Sequence, residues 1–85
     1  MSAFTVEWIP AAEVELARLW MLADDPAAVT AAQAAIDRLL ARDPVRHGTH
    51  MAEGLHRLVH PPLTVFYTVD ASQRLVLVNE VRYTP

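Results

Sequence analysis

The sequence predicts a single α+β domain of order β-α-α-β-β-β, with a helical hairpin packed on one face of a small antiparallel sheet. Three observations lead there. The opening residues alternate in hydropathy with the period of a strand. The middle of the chain carries apolar residues at helical spacing between Asp-Pro boundaries. From Gly54 to Tyr83, three alternating runs are separated by tight turns. Elements of both periods must bury their apolar faces on one another, and a hairpin laid over a sheet does so.

Phe4, Val6 and Trp8 alternate with Thr5 and Glu7, so Phe4–Ile9 reads as a half-buried strand. Pro10 ends it and suits the first turn of a helix spanning Ala11–Ala23. Glu13 and Glu15 lie near the positive end of that helix. Its apolar residues, Val14, Leu16, Ala17, Leu19, Trp20, Met21 and Leu22, spread far beyond the roughly 100° stripe of a surface helix. Only Glu15 and Arg18 define a polar face. Such a helix is either packed on two sides within the domain or keeps one face open for a partner chain.

Asp24-Asp25-Pro26 is a turn in which either aspartate can cap the next helix. That helix, Ala27–Arg42, is rich in alanine and favours helix strongly. Val29, Ala32, Ile36, Leu39 and Leu40 form its buried stripe, with Thr30, Gln33, Asp37, Arg38 and Arg42 outside. So short a turn makes the two helices an antiparallel hairpin. Asp43-Pro44 stops the second helix, and Val45–Glu53 reads as an irregular loop. Strands follow at Gly54–His60, Leu63–Val69 and Arg74–Tyr83, joined at Pro61-Pro62 and at Asp70-Ala71-Ser72-Gln73. Connections of that length imply antiparallel neighbours.

Composition narrows the function. Eighty-five residues suffice for one domain and are too few for two. The apolar content of 53% argues against disorder. Without cysteine there is no disulfide framework, thiolate metal site or thiol nucleophile. No run approaches the roughly 18 apolar residues of a membrane span. The opening residues lack the basic region of a signal peptide. A soluble, cytoplasmic protein is expected. All seven basic residues are arginine, against ten acids, for a net charge of −3. Proteins that grip nucleic acid by charge are usually basic. This one must concentrate arginine locally, borrow charge from a partner, or leave nucleic acid alone.

In order along the chain come Phe4-Thr5-Val6-Glu7-Trp8, Pro10-Ala11-Ala12, Leu16-Ala17-Arg18-Leu19-Trp20 and Ile36-Asp37-Arg38-Leu39-Leu40. Then follow Asp43-Pro44, Gly54-Leu55-His56-Arg57-Leu58, Val65-Phe66-Tyr67-Thr68-Val69-Asp70 and Val81-Arg82-Tyr83. In this order and spacing the chain resembles the RelE/ParE superfamily of type II toxin–antitoxin toxins over essentially its whole length. The resemblance implies a small toxin neutralised by a cognate antitoxin, with no cofactor and no metal. It leaves two targets open. RelE-like members cleave mRNA on the ribosome, whereas ParE-like members act on DNA gyrase and need no nuclease site. A non-toxic, catalytically depleted interaction module of the same fold is the alternative, and a homo-oligomer is compatible with each.

Metal-free RNA cleavage needs a base for the attacking 2′-hydroxyl, an acid for the leaving oxygen, and cations for the phosphorane. The resemblance places Arg57 and Arg82 at basic positions of the family pattern. It places Tyr83 where other members carry histidine or tyrosine. Thr64 falls where many carry arginine, and the chain ends two residues after Tyr83 without a basic tail. The pattern is therefore depleted. His56 and His60 lie four apart on one strand face, and imidazole suits proton transfer near neutral pH. The candidate catalytic set is thus Arg57, Arg82, Tyr83 and His56. Tyr67 alternates with Leu63, Val65 and Val69 and reads as core. His47-x-x-His50 lacks the further ligand of a closed metal site.

Overall fold

A computed structural model describes residues 3–85. The elements are β1 (Thr5–Trp8), α1 (Pro10–Leu22), α2 (Pro26–Arg42), α3 (Pro44–His47), β2 (Thr49–Ala52), β3 (Leu55–His60), β4 (Leu63–Asp70) and β5 (Leu75–Tyr83). They form one five-stranded sheet of order β1-β5-β4-β3-β2, with the helical hairpin across one face.

The α+β class and the hairpin are as the sequence predicts, with two differences. The sheet is mixed: β1 runs parallel to β5, while the other neighbours are antiparallel. No tight turn ties β1 to β5, so hairpin geometry does not set its direction. The expected loop Val45–Glu53 is instead a short helix, α3, and an edge strand, β2. All four β2 residues are exposed, so the segment shows no alternation. Its order comes from pairing with β3, where Thr49 faces Arg57 and His50 faces His56.

Local chemistry sets the helix ends. Asp25 caps α2, accepting from the Ala28 N–H at 3.2 Å. Asp43 caps α3, accepting from the Arg46 N–H at 3.2 Å. Trp8 of β1 donates its indole N–H to Asp37 of α2 at 2.9 Å, and Trp20 of α1 donates to Thr30 at 3.2 Å. The core joins Ala12 and Leu19 of α1 and Val29, Ala32, Ile36 and Leu40 of α2 to the inner face of the sheet. Leu39, expected in that stripe, is only partly buried.

β5 carries a bulge. Tyr67 pairs with Val78 and Phe66 with Glu80, so Asn79 is the extra residue. Val76, Val78 and Val81 are therefore all buried, although strict alternation would turn Val81 outward. Beyond the bulge, Arg82 and Glu80 face away from the helices.

Candidate functional site

The face of the sheet left uncovered by the helices collects a small group of polar and aromatic side chains. Arg57 of β3 lies directly across from Phe66 of β4, which lies across from Glu80 of β5. The next row is Val59, Thr64 and Arg82. The Arg82 guanidinium sits over the Phe66 ring, 5.1 Å from its centroid, and its Nε donates to the Glu80 carboxylate. Arg57 is partly buried, and its Nε has no hydrogen-bond partner among the described residues. Thr64 is buried and shares a hydrogen bond of 2.7 Å with the Thr84 hydroxyl. One strand separates Arg57 from Arg82, so their strands run about 10 Å apart. Two cations flanking an aromatic ring suit a single strand, whose bases stack and whose phosphates need charge.

The other two candidates lie on the opposite face. His56 is 8% exposed; it stacks on Tyr67 with ring centroids 5.5 Å apart and meets the edge of His50 at 5.4 Å. Burial, and then the neighbouring His50, hold its pKa below the ordinary imidazole range. His56 is therefore neutral near pH 7. Its Nδ1 has no partner among the described residues. Tyr83 pairs with Leu63 and sits by Leu19, Leu22 and Ala23 at the end of α1. Tyr67 is fully buried, donates to the Pro44 carbonyl at 2.5 Å, and is pushed up to about 12 by burial.

The expected constellation is thus divided: Arg57 and Arg82 are together, with His56 and Tyr83 across the sheet from them. The reason is elementary, since successive residues of a strand point to opposite faces. His56 precedes Arg57 and Tyr83 follows Arg82, so neither neighbouring pair can share a surface. Phe66 and Glu80 are members of the open-face group that sequence reasoning missed. For Phe66 the signal was there, one residue from the core Tyr67. Among the described residues, no three His, Asp or Glu side chains converge as metal ligands.

Among the solved structures that share this architecture are two toxin–antitoxin complexes. A chain of the toxin–antitoxin complex RelBE2 from Mycobacterium tuberculosis matches with a TM-score of 0.82 and 21% identity, covering 98% of this chain and 93% of that one. This is a RelE-like fold. A chain of the archaeal RelE–RelB complex from Pyrococcus horikoshii matches with a TM-score of 0.72 and 14% identity, covering 99% and 97%. No family model matches the sequence, and no curated protein matches it. The expected resemblance therefore holds at the level of fold.

On this RelE-like fold a second surface is exposed at the β1 edge. The N–H groups of Thr5 and Ile9 donate to Arg74 and Val78 on the β5 side, at 2.8 and 3.0 Å. Successive amides of a strand point to opposite sides, so those of Val6 and Trp8 face the free edge. That edge floors a groove of about 760 Å³ walled by Leu16, Ala17, Trp20 and Met21 of α1 and Val29 of α2, with Glu7 and Glu13 in its lining. Next to it α1 exposes Val14 at 71%, Met21 at 75% and Leu22 at 68%. Of the two readings of this helix, the one with an open apolar face is what the structure displays. No described helix is long and apolar enough to cross a membrane.

Proposed function

We propose that this chain is the toxin-like member of a toxin–antitoxin pair, held by a cognate antitoxin and directed at mRNA in translation. The observation that carries the reading is the groove beside β1. Two strand amides face outward there under an apolar helix, which is what a partner adding a strand or an amphipathic segment would cover. Both solved neighbours come from toxin–antitoxin complexes, which supports a partner of that kind. The Arg57–Phe66–Arg82 group favours RNA over gyrase as the target, because it offers charge and a stacking surface to a single strand.

A second reading, a non-toxic binding module, is favoured by one observation. His56 and Tyr83 lie across the sheet from both arginines, so the open face gathers cations without an imidazole or phenol beside them.

Controlled expression with and without the antitoxin separates these readings. Growth arrest with new mRNA ends in primer extension, relieved by the antitoxin, is the expected result. Arrest with intact mRNA and failed supercoiling would move the target to gyrase. Normal growth with abundant folded protein would leave the binding module.

A further inference from the structure

Arg38 and Arg42 stand one turn apart on α2, about 6 Å along its axis. With His60 of β3 they line a pocket of about 260 Å³ backed by Ala35 and Leu39. None of the three has a carboxylate within ion-pair distance among the described residues. The acids nearest in sequence are engaged elsewhere: Asp37 accepts from the Trp8 indole and Asp43 caps α3. The Nδ1 of His60 is buried and has no partner among the described residues.

Like charges four apart on a helix repel, and this chain has acids enough to pair them at a net charge of −3. The two arginines and His60 instead line one small space together. We infer that Arg38, Arg42 and His60 form a binding pocket for a phosphate oxyanion, supplied by an RNA backbone or by free phosphate. The pocket lies on the helix-covered side of the sheet and is separate from the Arg57–Phe66–Arg82 face. A tetrahedral phosphate presents oxygens to donors on both walls at once. A carboxylate presents two oxygens in one plane, enough for a single arginine fork. Phosphate is therefore favoured over an acidic peptide. Only the RNA source rests on the proposed target; the pocket itself does not.

The test is NMR on the full chain, following the Nε–H signals of Arg38 and Arg42 and the ring signals of His60. Inorganic phosphate, a single-stranded RNA decamer and a glutamate peptide are titrated separately. Saturating shifts with the decamer assign the RNA backbone, and shifts with inorganic phosphate alone assign free phosphate. The doubly substituted R38Q/R42Q chain, altered at two exposed positions of α2, should keep its fold by circular dichroism. It should bind at least about tenfold more weakly, the loss expected for hydrogen bonds to a charged group. His60→Gln should weaken binding as well. No shift with phosphate or RNA, equal affinity in R38Q/R42Q, or a response to the glutamate peptide alone would overturn the inference. Absence of growth arrest on expression would count against the toxin reading while leaving the phosphate titration untouched.

Discussion

The Tyr67 hydroxyl occupies the space that a side chain on Gly48 would need: a Cβ built there would lie 1.8 Å from the phenol oxygen. The same hydroxyl donates to Pro44 at 2.5 Å, so one buried tyrosine of β4 holds both ends of α3 and the approach to β2. Gly48→Ala should therefore destabilise the fold by about 1–3 kcal/mol through overpacking. Tyr67→Phe should cost about 1–2 kcal/mol for the lost hydrogen bond. The two should be non-additive, because removing the hydroxyl relieves part of the clash. Urea unfolding of the four chains in this cycle measures the coupling, and strict additivity would refute the packing account.

His56 makes stability depend on pH with a definite sign. Its folded pKa is lowered by burial and by His50, so the unfolded chain binds the proton more readily. Stability is full above the ordinary imidazole range near 6.5 and declines as pH falls through it. Replacing His56 with leucine should flatten that decline in chemical denaturation between pH 7 and pH 5. At the alkaline end Tyr67, raised to about 12, has the opposite sign. The unfolded chain loses the phenolic proton first, and stability falls as pH rises above about 10.

Met21 is 75% exposed on α1 and also lines the groove beside β1. Met21→Glu should change the stability of the free chain by no more than about 0.5 kcal/mol. It should weaken binding of the proposed antitoxin tenfold or more, because a charge would enter an apolar contact beside Glu13 and Glu7. Calorimetric titration with the antitoxin decides; unchanged affinity would place the partner elsewhere.

Glu80 holds Arg82 in an exposed ion pair, with side chains 48% and 65% accessible. Exposed pairs of this kind contribute little to stability, so Glu80→Gln should leave the melting temperature nearly unchanged. It should strengthen binding of single-stranded RNA several-fold by freeing the guanidinium for phosphate. Phe66→Leu should weaken the same binding by about fivefold or more through lost stacking. Fluorescence anisotropy at fixed salt measures both, and equal affinities across these chains would remove the open face as an RNA surface.

Much of the fold was legible because its signals are local. Pro10, Asp25-Pro26 and Asp43-Pro44 mark helix boundaries through backbone chemistry within a few residues. The alternation of Leu63, Val65 and Tyr67 sent those side chains to the core, where all three are fully buried. β2 was not legible, because all four of its residues are exposed and its order depends on β3. The candidate site was legible in part. Arg57 lies on the uncovered face and Arg82 reaches it through the bulge in β5, while the alternation of neighbours already placed His56 opposite Arg57 and Tyr83 opposite Arg82.

By itself the sequence determined the elements on either side of Val45–Glu53, their order and the hairpin over the sheet, since these follow from hydropathy period and turn chemistry. Only the tertiary structure decided which residues of β5 face outward. The bulge at Asn79 shifts the alternation by one residue, buries Val81 and carries Arg82 to the side of Arg57 and Phe66. No local signal announces it. A bulge is a mismatch between two paired strands, and it exists only when β4 and β5 lie side by side.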